Sequence, residues 1–223
     1  MRQESTKERV YNYIYSEILS GRLKADDKIP QEKISQQLNL SRTPVREALI
    51  ELMKEGLFER KPNRGFWLRR IDLDELKDVY SIIGCLEGHA AASASYKLSR
   101  EDFDLLKKIV KKIEESIDKK DYPGYYSLQL EFHNIIVRAS GNKKLYDLVS
   151  SLKERYITQV HLVFGIHDEL YEVLKQSNDE HRHIVMLLEK GEKKKLESYL
   201  KDVHWKISRA DAFYDKQMVR RHN

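Results

Sequence analysis

The chain has 223 residues, one cysteine (Cys85) and a formal net charge of +5, with 35% of its residues charged. A single cysteine excludes an internal disulfide. No apolar run approaches the roughly 20 residues of a membrane span, and the polar start does not read as a secretory signal, so a soluble, cytoplasmic protein is expected. The charge is unevenly placed: residues 1–70 hold 15 Lys/Arg against 10 Asp/Glu, whereas residues 71–223 hold 26 of each. A basic excess confined to one segment points to nucleic acid. Pro30, Pro44 and Pro62 also fall in that segment, with only Pro123 beyond it. The shift puts a domain boundary at Arg70 and Ile71, giving domains 1–70 and 71–223.

Along the first domain, Ser5 and Glu8 have the spacing of a helix capping box, Val10, Ile14 and Ile18 follow at helical period, and Gly21 is a stop. "IPQEKISQQLNL" reads as a second, short helix with Ile34 and Leu38 inward and a turn at Asn39 and Leu40. "SRTPVREAL" (41–49) opens a third. Pro44 suits its first turn and Ser41 or Thr43 can cap it. Val45, Leu49 and Leu52 turn inward, which leaves Arg42 and Arg46 on an exposed N-terminal half. Two strand-like runs, 57–60 and 66–69, then flank a Pro-Asn-Arg-Gly turn.

Three helices followed by a two-stranded hairpin make a winged helix-turn-helix. In that architecture the second helix of the turn enters the major groove, leading with its N-terminal residues. Arg42 and Arg46 are therefore candidates for bidentate contacts to guanine. Ser41 and Thr43, at the same helix start, are candidate phosphate ligands. Arg64 and Gly65, at the hairpin tip, are candidate wing contacts to a phosphate or the minor groove.

Residues 71–223 show helix signals at even spacing. Asp72 with Glu75 opens a helix carrying Leu76, Val79, Ile83, Leu86 and Ala90 on one face. Ser99 caps the next (Leu105, Leu106, Ile109, Ile113), Asp121 a third (Leu128, Phe132, Ile135, Ile136) and Asn142 a fourth (Leu145, Leu148, Val149, Leu152). The stretch 164–176 is compatible with a broken helix, and Ser177 with Glu180 opens a fifth. The last carries Leu196, Leu200, Val203, Ile207 and Ala210. The pattern predicts an antiparallel bundle of six or seven helices, so the whole chain is mainly α. His133 follows core residue Phe132, with Gln129 one turn before it, and His181 lies on the stripe of Ile184 and Leu188. His204 sits beside Val203, about 100° off the stripe of an ideal helix. Inward histidines on facing helices suit either a hydrogen-bonded core or a shared metal site.

The run from residue 10 to 70, with "SGRL", "LSRTPVREAL", "EGL" and "PNRGF", closely resembles the DNA-binding domain of GntR-type bacterial regulators; "KADDKI" stands where that family usually has Pro-Gly. Residues 71–215, above all "EFHNIIVRASGN" and "DEHRHIVMLLEKGE", resemble the all-helical effector-binding FCD domain. The resemblance implies a divalent metal (zinc, nickel or manganese) held by an Asp four residues before the "FH" histidine, by that histidine, by the "EH" histidine and by one on the last helix, with a carboxylate effector completing the site. His133 and His181 match. The Asp position holds Gln129, the last position falls on Val203 with His204 one residue off, and Ile83 replaces the Arg that usually precedes the "LE" glutamate (here Glu87) by four. These departures predict weak or absent metal affinity and a more apolar effector. A weak three-histidine site, with His204 turned inward, is the rival.

The expected function is a sequence-specific DNA-binding transcriptional regulator, a homodimer on double-stranded operator DNA, whose helical domain dimerises and binds a small-molecule effector. A DNA-binding dimer without an effector is the alternative. An enzyme is not expected, because no nucleophile–base–orienter set or carboxylate pair stands out.

Overall fold

The computed structural model describes residues 4–20, 22–54, 56, 58–69, 73–156 and 168–206. Gly21, Leu57, the Arg70–Asp72 segment, Ile207 and Ala210 therefore lie outside the described residues. The chain divides into two compact units, Met1–Ile71 and Asp72–Asn223.

In the first unit α1 (Thr6–Leu19), α2 (Gln31–Leu38) and α3 (Arg42–Lys54) precede a hairpin of β1 (Phe58–Lys61) and β2 (Gly65–Leu68), the order of a winged helix-turn-helix. Ser5 and Glu8 form the capping box, the Glu8 amide donating to Ser5 Oγ and the Ser5 amide to the Glu8 carboxylate. Asn39, at φ 49°, takes the left-handed position that ends α2 and turns the chain into α3. The core is built from Val10, Ile14, Ile18, Ile34, Val45, Leu49, Leu52, Phe58 and Leu68, all at most 5% exposed. Each such aliphatic side chain contributes about 1.5–3 kcal/mol relative to exposure. The chain before α2 adds to the wing. The Ile29 amide donates to the Phe66 carbonyl and the Leu68 amide to that of Asp27, so residues 26–29 run along the outer edge of β2. This is where "KADDKI" acts: Asp26 adopts φ 68° and Asp27 accepts from the Lys24 amide, closing the turn without glycine.

The second unit contains α4 (Leu73–Ala94), α5 (Arg100–Asp118), α6 (Tyr122–Ala139), α7 (Lys143–Tyr156), α8 (Asp168–Glu189) and α9 (Lys193–Tyr199), continued by a π-helical turn over Leu200–His204. Ser99, Asp121 and Asn142 cap α5, α6 and α7 as expected, each accepting a backbone N–H from the first turn. Three expectations fail. Leu105 and Leu148 are 40% and 51% exposed rather than buried. No helix opens at Ser177, because α8 already runs from Asp168: Leu170, Tyr171 and Leu174 are buried and extend its apolar stripe by two turns, and Tyr171 donates to the Lys120 carbonyl. The last helix leaves its straight register, as described below.

Two glycines let the last helix approach α4 closely. A Cβ on Gly88 would lie 2.9 Å from the Glu197 carbonyl oxygen, and one on Gly84 would lie 3.0 Å from Trp205 Cβ. Neither neighbour can yield without a backbone shift. No helix among the described residues is long and apolar enough to cross a membrane.

In the first unit, the nearly buried Glu17 accepts from Arg22 Nε (2.9 Å) and Lys33 Nζ (2.7 Å), tying α1 to α2. Its hydrogen bonds to Arg22 and Lys33 hold the carboxyl below its ordinary pKa of 4.5. The stability this provides is present above that value and is lost as pH falls through the lowered one. Glu17→Gln is expected to lower the thermal midpoint at neutral pH and to converge with the unsubstituted protein in acid, measured by melting curves across a pH series.

Candidate functional site

On α3 the buried side carries Val45, Ala48, Leu49 and Leu52, and Ser41, Arg42, Thr43 and Arg46 are exposed on the N-terminal half. Arg42 forms an ion pair with Glu32 at the start of α2 (2.6 Å), with both side chains more than 70% exposed. Sequence reasoning did not anticipate Glu32. At the wing, the Arg64 amide donates to the Lys61 carbonyl (3.0 Å), and Asn63 and Gly65 take φ 56° and 87°. The Arg64 side chain is exposed, and a Cβ on Gly65 would come within 3.4 Å of Gln31 Nε2. Arg42 and Arg46 share one exposed helix end. Arg64 stands apart from them on the hairpin.

In the helical unit His133 (α6), His181 (α8) and His204 (π turn) converge. His133 Nε2 lies 3.2 Å from Nε2 of His181 and 3.2 Å from Nε2 of His204, and the ligand-capable atoms of all three fall within 4.8 Å of one another. On the far side of each ring stands an oxygen acceptor. His133 Nδ1–H donates to Glu87 Oε1 (2.5 Å), His204 Nδ1–H to Glu180 Oε2 (2.9 Å), and His181 Nδ1 faces Asn178 Oδ1 (3.4 Å). Asn178 is itself fixed by donating to the Val110 carbonyl (3.1 Å). Phe132 and Trp205 close over the rings, with centroids 4.5 Å from His181 and 5.0 Å from His133.

The electrostatics suit neutral imidazoles. Burial drives the His133 pKa down to about 4 against the pull of Glu87, and burial likewise holds His181 well below 6.5. Burial opposes ionisation of Glu87, but His133 and then Lys153 outweigh it and keep the carboxyl below its usual range. With Nδ1 protons directed at oxygens, Nε2 lone pairs face the shared space. A tetrahedral ion about 2.0–2.1 Å from each nitrogen requires N···N separations of about 3.3 Å, close to the two short edges found here. Three histidines leave a fourth position open. Three imidazole nitrogens suit zinc or nickel better than manganese, which favours oxygen ligands, and carboxylates face two of the three rings.

His204 reaches the cluster because the helix widens. The Trp205 amide donates to the Leu200 carbonyl (3.0 Å), a bond across five residues. The turn holds one residue more than an α-helical register allows. Val203, expected inward, is 40% exposed, and the side chain of His204 is 3% exposed. The position expected for Val203 is therefore taken by the following residue, and it is His204 that faces His133 and His181. Gln129 and Ile83 are both buried, Gln129 one turn before His133 on α6 and Ile83 one turn before Glu87 on α4. Sequence reasoning missed Glu87, Lys153, Asn178 and Glu180 as members of the site. A signal existed for two of them: Glu87 continues the stripe Leu76–Val79–Ile83, and Lys153 continues Leu145–Val149.

A winged helix-turn-helix joined to a helical unit with a buried polar centre defines a bipartite DNA-binding regulator. Residues 6–68 match the bacterial regulatory proteins of the gntR family, and residues 78–203 match the FCD domain. The chain belongs to this family, the FCD-domain branch of the GntR-type DNA-binding transcriptional regulators. It is 28% identical over 170 residues to the Nta operon transcriptional regulator of Aminobacter aminovorans (76% of this chain, 77% of that protein). It is likewise 28% identical over 186 residues to a probable D-xylose utilization operon transcriptional repressor of Paenarthrobacter nicotinovorans (82% and 79%). Among solved structures, E. coli McbR/YncC superposes with a TM-score of 0.77 over 96% of this chain and 100% of that one, at 21% identity, a likeness of fold.

Because Val203 is exposed beside the buried His204, Val203→Ala is expected to stay within about 0.5 kcal/mol of the unsubstituted protein in denaturant unfolding. A loss of about 1.5 kcal/mol or more would return Val203 to the core.

Proposed function

We propose that the helical unit is a metal-dependent effector receptor and that the winged unit reads a two-fold operator as a homodimer. The observation that carries the receptor reading is the convergence of three Nε2 atoms, with carboxylates behind two of the rings. His133, His181 and His204 would hold a divalent ion, which when bound supplies an open coordination position for an anionic or polar effector group. The residues of the chain do the rest: Glu87 and Glu180 orient His133 and His204, Asn178 faces the ring of His181, and Phe132 and Trp205 exclude water. The departure at Gln129 predicts weak or absent metal affinity; the carboxylates behind two of the three rings favour its rival, the three-histidine site.

In the winged unit, Arg42 and Arg46 read base edges in the major groove. Ser41 and Thr43 hold phosphate at the start of α3, and Arg64 with Gly65 brings the wing onto the duplex. A two-fold dimer matches half-sites one helical turn apart. The effector shifts operator affinity by binding the DNA-competent arrangement differently from the other.

Two experiments test these readings. The purified protein is expected to carry near-stoichiometric metal, and chelator-stripped protein to gain thermal stability from zinc, nickel or manganese, with both effects lost in His204→Ala. Metal-free protein that none of the three ions stabilises would leave a DNA-binding dimer without this receptor. On a duplex selected from random sequence at fixed salt, Arg46→Ala is expected to cost roughly 1–3 kcal/mol and to relax preference at one base pair. Unchanged affinity and preference would remove Arg46 from base reading.

A further inference from the structure

Lys153 lies on α7, outside the histidine cluster, yet it is fully buried and, among the described residues, the only lysine or arginine that is. Its Nζ stands 4.0 Å from Glu87 Oε1, and the same oxygen lies 2.5 Å from His133 Nδ1. All three side chains are 0% exposed. An ammonium withdrawn from water into a helical core is expensive, and a buried Lys–Glu pair can often be exchanged for apolar residues without loss of stability. Fold stability alone therefore gives no reason for both charges. What the exchange would remove is the acceptor for His133. Glu87 sits closer to the imidazole than to the ammonium, so its orientation is spent on the ring while Lys153 supplies the compensating charge. The order Lys153–Glu87–His133 runs from α7 through α4 to α6 and ends at the ring whose Nε2 is the shared vertex of both 3.2 Å edges.

We propose that Lys153 is a positioning residue of the metal centre, its buried ammonium balancing the Glu87 carboxylate that fixes the ring of His133. The inference rests on the metal reading above. It assigns to α7, which contributes no ligand, a share in the affinity for the ion. The charge and not the bulk of Lys153 is what matters, so arginine should substitute where methionine does not.

The test uses the full chain, stripped of metal, titrated with nickel(II) at neutral pH and separately loaded with cobalt(II) to record its visible spectrum. Lys153→Met is expected to bind nickel about 10–100-fold more weakly, and Lys153→Arg to remain within about threefold of the unsubstituted protein. At saturating cobalt the ligand-field bands of Lys153→Met should shift, which a purely structural role would not produce. A folded Lys153→Met variant with undiminished affinity and an unshifted spectrum overturns the proposal. Should Lys153→Met fail to fold, Lys153→Gln, which is polar but uncharged and leaves Glu87 unchanged, takes its place. Weakened nickel binding by Lys153→Gln beside near-normal binding by Lys153→Arg supports the proposal, and undiminished binding by Lys153→Gln overturns it. An unsubstituted protein that binds neither ion removes the metal centre and this inference together. Binding by the unsubstituted protein with the variants unaffected removes the inference alone.

Discussion

Neutral imidazole nitrogens cannot face one another across 3.2 Å as lone pairs without something positive between them, and the helical unit is organised around that constraint. Each neutral ring carries a single proton. The Nδ1 atoms of His133 and His204 face carboxylates, which leaves each Nε2 turned toward the other rings in a space bordered by Phe132 and Trp205. A proton shared along one edge would satisfy one pair of nitrogens at most, whereas the divalent ion proposed above would satisfy the whole set. Several unusual features of the bundle meet at this cluster. Two carboxylates and a lysine lie in an apolar core, two glycines on α4 admit a helix at contact distance, and that helix abandons its α-register in its final turn.

The winged unit meets a different demand, since its working groups have to stay solvated until a duplex arrives. Its candidates for base contact are all exposed, and rigidity comes from beneath them: the inward stripe of α3, the left-handed Asn39 between the two helices, and the 26–29 segment fastened along β2. The Arg42–Glu32 pair belongs to this picture. At such exposure the pair contributes little to stability. Its effect is on charge, since a carboxylate beside a basic helix end lowers the local positive potential.

The DNA-binding fold was legible because its signals are local. A capping box, a proline in a first turn, an alternating run around Pro-Asn-Arg-Gly and helical periodicity each operate within a few residues. The histidine centre was only partly so. His133 and His181 declared themselves by lying on or beside apolar stripes, but their partners act across the bundle, and spacing in the chain carries no information about which helix stands opposite. Glu87 and Lys153 were visible in principle as charges at stripe positions, each strange alone and sensible only as a pair. The π turn was invisible for a plainer reason: an ideal periodicity of 3.6 was applied to a segment that does not keep it. The capping rule split one helix in two at Ser177, where a polar residue with a good capping pattern lies in the middle of a long helix whose buried face had already begun at Leu170.

The widened turn at Leu200–His204 also bears on how descent in such sequences is read. One extra residue accommodated as a bulge shifts a side chain to the next position in the chain without moving it in space. Two chains can therefore present the same imidazole at the same point while their aligned columns disagree, and the column holding Val203 would record a ligand lost. Counting histidines by column would miss His204, whereas counting them by position in the fold finds three rings at one point, at a cost of one residue in the backbone.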